Sequence, residues 1–126
     1  MNRTAATAMA ILTAVTLAGC AQSGKTAEHG KAASEIAVEA SDTACVLSAN
    51  TASTGSTTFV IANSGTKVTE FYIYAAGQRI LGEAENISPG LQRRLEVRFD
   101  QPGTYRATCK PGMAGDGIHA DIVVAG

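Results

Sequence analysis

The sequence predicts an all-β protein, built as a sandwich or barrel of short strands. From residue 35 onward, apolar and polar residues alternate in short runs, which is the pattern of half-buried strands. Gly, Asn, Ser and Pro separate these runs at short spacing and mark turns. No stretch after the N-terminal apolar run has a helical pattern. Six or seven strands with this spacing are typical of a sandwich or a barrel.

The first nineteen residues have the features of a cleaved export signal. Arg3 supplies a positive charge, and "AATAMAILTAVTLA" supplies an apolar run that is too short to span a membrane comfortably. The letters LAG stand directly before Cys20, as in the lipobox of bacterial lipoproteins, in which this cysteine becomes the lipidated N-terminus. An ordinary signal with a chance cysteine is the alternative. We therefore expect a lipoprotein of the cell envelope, anchored on the extracytoplasmic side of a membrane through Cys20.

Composition sets further bounds on the mature chain. Removal of residues 1–19 leaves 107 of the 126 residues, which suffices for one domain with a modest core. The net charge falls from −1 to −2 with the loss of Arg3, and this balance gives no argument for a nucleic-acid partner. Cys45 and Cys109 remain in an oxidising compartment, where an even pair is first of all a disulfide candidate.

The domain is preceded by a segment that we interpret as a tether. Residues 20–34 consist of the lipidated cysteine and "AQSGKTAEHGKAAS", which is small, polar and free of large apolar groups. His29 lies in this segment and is expected to be solvated. The predicted organisation is thus a signal peptide over 1–19, a linker over 20–34 and one domain over 35–126.

The first half of the domain contains three candidate strands. In "EIAVEAS", Ile36 and Val38 alternate with charged or small neighbours, and "STTFVIANSG" places Phe59 and Ile61 on one face before a turn. The stretch "KVTEFYIYAA" is rich in β-branched and aromatic residues, which favour strands. The following "GQRILGEAENISPG" is the most irregular part of the domain and is a candidate for a short helical turn.

The second half contains three more candidate strands. The clearest is "RRLEVRFD", in which Leu95, Val97 and Phe99 face inward and the charged residues face outward. The stretch "TYRATC" ends at Cys109. The last strand, "GIHADIVVA", has an apolar face of opposite phase to His119, so this histidine is expected to point outward if that face forms the core.

The loop after Cys109 has the order of a blue-copper loop without its histidine. In copper-binding Greek-key sandwiches, a strand ending in N-x-G precedes the first histidine ligand, and a cysteine and a methionine follow near the end of the chain. Here Asn63 and Gly65 precede Glu70, which stands in the place of that histidine. A type-1 copper centre needs two histidines and a thiolate, so the sequence excludes the standard centre.

A different metal site remains compatible with the residues present. The candidate ligands are Cys45, Glu70, Cys109 and Met113, with Glu83 and Glu85 nearby in sequence. Thiolate and thioether groups favour Cu(I), whereas carboxylates favour harder ions such as ferric iron. The mixed set could bind copper, or iron through its carboxylates.

Each candidate ligand also has a structural alternative. Cys45 and Cys109 form a disulfide in the second interpretation, which would stabilise the fold by about 3–4 kcal/mol. Met113 would then cover the end of the sandwich, and Glu85 would be a surface charge. Glu70 is in phase with Tyr72 in an otherwise apolar strand, and an unpaired carboxylate on a buried face is costly, which favours a functional role.

The chain resembles the EfeO-type cupredoxin-like domain, which is found in periplasmic and lipoprotein components of bacterial iron uptake. The resemblance covers roughly residues 35–125 and rests on "DTACVLSANTASTGSTTFVIANSG", Glu70, "ENISPG" and "PGTYRATC" taken together. It implies a Greek-key β-sandwich of cupredoxin type that binds copper or iron. It also implies that Cys45, Glu70 and Cys109 are site residues, and that Glu85 is the acid of the E-N-I-x-P-G segment.

Three departures from that family change what the resemblance implies. The loop after Cys109 carries Met113 in a glycine-rich segment, as in an ordinary cupredoxin, and this makes copper the first choice and iron the second. A second acid often stands two residues after the first, where this chain has Tyr72, and this weakens an all-carboxylate ferric site. The chain to Gly126 has no H-x-x-E motif of the kind carried by the family's helical domain. The expected role is therefore that of an accessory module, working with an iron or copper permease or with a helical iron-uptake component.

Three functions follow as hypotheses. The first is a metal-binding, lipid-anchored protein accessory to iron or copper uptake or to electron transfer. The second is a metal-free binding or scaffold module of the envelope, with Cys45 and Cys109 bonded to each other. The third is a ferrous oxidase, which would need more redox-active groups than can be recognised in the sequence. An ordinary hydrolase is not expected, because only His29 and His119 are available to serve as a base.

Overall fold

The computed structural model describes residues 34–126, which form nine strands and two single 3-10 turns. The strands are β1 Ser34–Ala40, β2 Cys45–Leu47, β3 Thr51–Ser53, β4 Gly55–Asn63, β5 Thr69–Tyr74, β6 Ile80–Ile87, β7 Gln92–Phe99, β8 Gly103–Cys109 and β9 Ile118–Ala125. The turns are Ala76–Gln78, between β5 and β6, and Pro111–Met113, between β8 and β9.

The strands form two sheets that face each other. One sheet has four strands in the order β2-β1-β4-β7, and the other has five in the order β3-β9-β8-β5-β6. The pairs β1–β4 and β3–β9 are parallel, and the other pairs are antiparallel. The predicted all-β sandwich is confirmed.

The core lies between the sheets and is built by the inward side chains of both. Phe59 of β4 is fully buried, and its ring centroid lies 5.5 Å from that of Phe71 on the opposite sheet and 6.5 Å from that of Phe99. The inward face of β5 consists of Thr69, Phe71 and Ile73. Glu70 and Tyr72 therefore lie on the outer face of the five-stranded sheet, rather than on a core face.

The alternating pattern correctly predicts the inward residues of most strands, but it does not predict the strand within the irregular stretch over residues 77–90. Residues 80–87 form an eight-residue strand, and the predicted helical turn is confined to Ala76–Gln78. Strand β6 carries two register shifts against β5, and few of its side chains are buried, so its sequence has no period of two. Strands β2 and β3 are only three residues long and leave no periodic signal.

The two sheets approach each other closely where β6 meets β7. A side chain at Gly82 would place its Cβ within 2.8 Å of Val97 Cγ2 and within 3.4 Å of Leu95 Cδ1. Glycine is therefore required at this position by the space between the strands.

One end of the sandwich carries the loops that precede β2, precede β5, and follow β6 and β8. Asn63 is buried there, and its Nδ2 donates hydrogen bonds to the carbonyl oxygens of Lys67 and Ile87, at 2.8 Å each. Its Oδ1 accepts a bond from the backbone N–H of Gly65 at 2.9 Å. The N-x-G motif thus has a structural role, which is to hold the loop that leads into β5.

A second polar contact fixes the same loop from the outside. The carboxylate of Asp42 accepts hydrogen bonds from the Thr66 hydroxyl at 2.5 Å, the Thr66 N–H at 3.0 Å and the Lys67 N–H at 3.2 Å. The bond from the Thr66 hydroxyl is the main cause that lowers the pKa of Asp42. Two loops are thereby joined through one carboxylate.

The predicted export signal over 1–19, lipidation at Cys20, and His29 with the tether up to residue 33 lie outside the described residues. Within residues 34–126, no helix has the length and hydropathy needed to cross a membrane.

Candidate functional site

The two cysteines of the domain are bonded to each other. Cys45 begins β2 and Cys109 ends β8, and their Cα atoms lie 5.6 Å apart in a disulfide that closes a separation of 64 residues. Both side chains belong to the buried core. The disulfide that the sequence left as an alternative is therefore present, and in this form neither sulfur is a thiolate.

The carboxylates singled out in the sequence meet on the outer face of the five-stranded sheet, opposite the buried face that carries Cys109. Glu70 and Tyr72 point outward from β5, and Glu85 reaches them from the neighbouring β6. The Tyr72 hydroxyl lies 3.0 Å from Glu70 Oε2 and 3.3 Å from Glu85 Oε1. A phenol has one hydrogen to donate, so the two carboxylates compete for it. We call Glu70, Tyr72 and Glu85 the carboxylate–phenol cluster.

An irregularity in β6 brings Glu85 to this cluster. In the β5–β6 ladder, Thr69 pairs with Ile87 but Phe71 pairs with Ala84, so one extra residue is accommodated on the β6 side. Asn86 adopts a positive φ of 55°, which asparagine tolerates better than most residues. The bulge places Glu85 opposite Glu70 on the outer face of the sheet.

The cluster has an excess of negative charge, and the cation Lys110 lies against it. Lys110 follows β8 and is paired with Glu70 through two backbone hydrogen bonds, and its Nζ lies 4.8 Å from the centroid of the Tyr72 ring. Burial raises the pKa of Tyr72 strongly, and the hydrogen bonds to Glu70 and Glu85, with their negative charges, raise it further. Tyr72 is therefore held in its neutral, proton-donating form.

This environment predicts an abnormal titration of one of the three tyrosines. Tyr72 should ionise only above the pH range of an ordinary tyrosine, because its ionised form is both desolvated and repelled by Glu70 and Glu85. Since the pKa of Tyr72 in the folded protein lies above the ordinary tyrosine value of 10.0, the stability that Tyr72 contributes is complete below that pH. It is lost as pH rises through the folded pKa.

The measurement is the near-ultraviolet phenolate absorbance of the folded protein against pH. Tyr72→Phe should remove an ionisation step that lies above the usual tyrosine range. If the difference between the unmodified protein and Tyr72→Phe showed a phenol ionising near pH 10.0, the prediction would be contradicted.

The remaining candidate residues lie apart from the cluster or at its border. Met113 is 44% exposed in the turn after β8, with a positive φ of 56°. Glu83 is exposed on β6 and pairs with Tyr72 across the strands. His119 points outward as expected, and its Nδ1 lies 3.0 Å from the Thr108 hydroxyl. Tyr72 and Lys110 are the residues that sequence reasoning did not assign, although Tyr72 was flagged as a departure from the family pattern.

The donor set fits oxygen-preferring ions better than a copper–thiolate centre. Both thiols are consumed by the disulfide, and the exposed His119 is paired with Thr108 rather than with either cysteine. Within residues 34–126, no group of three or more His, Cys, Asp and Glu side chains is arranged to hold a metal ion. The carboxylate–phenol cluster offers two carboxylates and a phenol oxygen, which are hard donors.

Comparison with known proteins gave matches at the level of family and fold. The family model described as "Cupredoxin-like domain" matches residues 7–124. A search of curated proteins found no match.

Among solved structures, sodium-dithionite-reduced auracyanin from the photosynthetic bacterium Roseiflexus castenholzii is similar with a TM-score of 0.59 and 16% identity. That match covers 77% of this chain and all of the auracyanin. Auracyanin B gives a TM-score of 0.58 and 15% identity, over 76% of this chain and 91% of the other. The azurin Az-iso2 of Methylomonas sp. strain J gives 0.55 and 12%, over 75% of this chain and all of the azurin. At these identities the similarity shows a shared fold.

Proposed function

The chain belongs to the family of cupredoxin-like domains, and from this premise we propose that it is an extracytoplasmic metal-handling protein. It is anchored to a membrane through Cys20 and acts beside an iron or copper uptake system. Its metal is cargo, held for transfer to a permease or to a helical iron-uptake component. The EfeO-type resemblance of "ENISPG" and "PGTYRATC" supports iron uptake as the setting.

The observation that carries this proposal is the carboxylate–phenol cluster. Two acids that are 15 residues apart converge on one hydroxyl, with contacts of 3.0 and 3.3 Å. A single hydrogen cannot satisfy both carboxylates, so a cation placed between them would relieve their repulsion. Such an arrangement is useful for binding a positive ion, and it has no evident value for packing, because Glu85 is exposed.

The chemistry of the donors favours iron over copper in the disulfide form. Carboxylate and phenolate oxygens are hard ligands that suit ferric iron, whereas Cu(I) prefers sulfur. Binding would require Tyr72 to lose its proton to solvent or to one of the two glutamates, and the attraction of a multivalent cation for the phenolate opposes the raised pKa of the free protein. Copper–thiolate binding would require prior reduction of Cys45 and Cys109.

The proposal predicts that ferric iron is retained by the carboxylates of the cluster. Glu70→Gln and Glu85→Gln should each weaken iron retention by at least about tenfold, the range seen when groups that support a metal site are removed. The purified protein is stripped with chelator, loaded with ferric nitrilotriacetate and desalted, and bound iron is counted by elemental analysis. A visible tyrosinate-to-iron absorption band should accompany binding and disappear in Tyr72→Phe.

Glu83→Gln is the matched control. Glu83 is an exposed acid on the same strand as Glu85, and it pairs with Tyr72 across the strands. Within residues 34–126 it makes no hydrogen bond with the Tyr72 hydroxyl. It should retain iron like the unmodified protein. Equal losses in all three glutamine variants would point to general surface charge and not to a site.

A metal-free scaffold module of the envelope is the second candidate function. The observation that favours it is the disulfide, which gives Cys45 and Cys109 a purely structural role. This candidate predicts that the stripped protein retains neither ferric iron nor copper, before or after reduction. The iron-loading experiment therefore decides between the two functions.

A further inference from the structure

A polar groove crosses the outer face of the five-stranded sheet, next to the carboxylate–phenol cluster. It has a volume of about 560 Å³ and lies between the Ala76–Gln78 turn and the loop that contains Asp116. Its floor is formed by outward side chains of β8 and β9. The size falls within the roughly 300–1,000 Å³ of typical small-molecule sites. The charged and ionisable side chains of its lining include Arg106, Lys110, Asp116, His119 and Asp121.

The groove combines cationic and anionic side chains in equal number. Arg106 and Lys110 are cations, and Asp116 and Asp121 are anions, so their charges balance when His119 is neutral. Arg106 Nε and Asp121 Oδ1 are 3.9 Å apart, and both side chains are more than half exposed. A pair this long and this open leaves both groups able to bind a ligand. The balance disfavours a simple inorganic anion and favours a ligand that has both negative and hydrogen-donating groups.

The two cations lie on the same face of the sheet. Arg106 belongs to β8 and Lys110 directly follows that strand, with Thr108 between them. The Lys110 ammonium lies over the ring of Tyr72, which is the cross-strand partner of Thr108, so it lies at the level of Thr108 along the strand. Thr108 and Arg106 are two residues apart on β8, a distance of about 7 Å along the strand. This distance suits the separated carboxylates of a short polycarboxylic acid.

We propose that the groove binds a small hydroxycarboxylate. Its carboxylates accept hydrogen bonds from Arg106 and Lys110, and its hydroxyl group donates to Asp116 or Asp121. Hydroxycarboxylates chelate hard cations, and Lys110 borders both the groove and the carboxylate–phenol cluster. The inferred ligand of the groove is thus the metal-free acid, because in a ferric chelate the hydroxyl oxygen would be bound to iron and could not donate to an aspartate. Binding of the acid does not rest on the proposed function, whereas any part that the acid plays in iron handling does.

The test is calorimetric titration of the metal-stripped protein with three metal-free probes: citrate, tricarballylate and inorganic phosphate. Tricarballylate has the three carboxylates of citrate without its hydroxyl. Citrate should bind about tenfold more tightly than tricarballylate, because loss of the hydroxyl leaves an aspartate of the groove without its donor. Phosphate should bind more weakly than either.

Variants locate the binding site. Arg106→Gln and Lys110→Gln should each weaken citrate binding by about tenfold, the usual effect of removing one charged hydrogen-bond partner. Arg98→Gln is the matched control, because Arg98 is an exposed arginine on the other sheet that pairs with Asp100 as Arg106 pairs with Asp121. It should leave citrate affinity unchanged.

Three results would overturn the inference: no binding of citrate at millimolar concentration, equal affinities for citrate and tricarballylate, or equal losses in Arg98→Gln and Arg106→Gln. Failure of the proposed function is distinguishable from these results. Normal citrate binding without iron retention would support the groove and contradict the proposed metal site. Iron retention without citrate binding would contradict the groove alone.

Discussion

Replacing Cys45 and Cys109 together by alanine should lower the free energy of unfolding by about 4 kcal/mol. The disulfide closes a separation of 64 residues, and the entropy that such a closure removes from the unfolded chain corresponds to this value. It also joins the short β2 of one sheet to β8 of the other. For a domain whose total stability is on the order of 5–15 kcal/mol, the loss is a large fraction. Equilibrium urea unfolding, followed by far-ultraviolet circular dichroism, measures it.

Reduction provides the control for this prediction. A thiol reductant should destabilise the unmodified protein by a similar amount and should leave the double variant unaffected. The second observation also controls for any effect of the reductant at Cys20. A loss below about 1 kcal/mol in the double variant would show that the bond does not constrain the unfolded chain as the entropy model requires.

Phe59→Ala should lower the free energy of unfolding by about 3–5 kcal/mol, the range for removal of a buried aromatic ring. Phe59 is fully buried, and its ring contacts an aromatic ring on each sheet, Phe71 on one and Phe99 on the other. Its removal would leave a cavity at the centre of the core, where the strands on both sides are fixed by ladder hydrogen bonds and cannot close the gap. Urea unfolding again gives the value.

Val46→Ala is the comparison, because Val46 is 56% exposed on β2. It should change stability by less than about 0.5 kcal/mol. Phe59→Leu should fall between the two, since it keeps most of the buried apolar surface. Equal effects of Phe59→Ala and Val46→Ala would contradict the assignment of Phe59 to the centre of the core.

The parts of the fold that could be predicted are the strands with one buried face. Ile36, Phe59, Val97 and Ile122 were placed inward by alternation alone, because a period of two is imposed wherever one face packs and the other is solvated. Strand β6 lacked this signal, since its bulges interrupt the period and most of its side chains are exposed. For the same reason alternation does not predict the strand at Ile80–Ile87.

The candidate site was predictable in its residues but not in its geometry. Glu70 and Glu85 were named from their position in sequence, yet their meeting at the Tyr72 hydroxyl depends on a bulge at Asn86 that no local pattern announces. The bond between Cys45 and Cys109 was left open because a separation of 64 residues carries no information about proximity. Both contacts arise from how the sheet is assembled, not from the order of the residues.

The position of β1 determines how the domain would respond to a mechanical load. Any pull on the chain before Ser34 acts first on β1, which is flanked on both sides, by β2 and by β4. A force along the strand axis would shear the seven residue pairs with β4 and the three with β2 at the same time, instead of opening them one by one. Through Cys45 and Cys109, part of that force passes from β2 into the five-stranded sheet by a covalent link. In a domain built in this way, a pull on the N-terminus is shared between the two sheets.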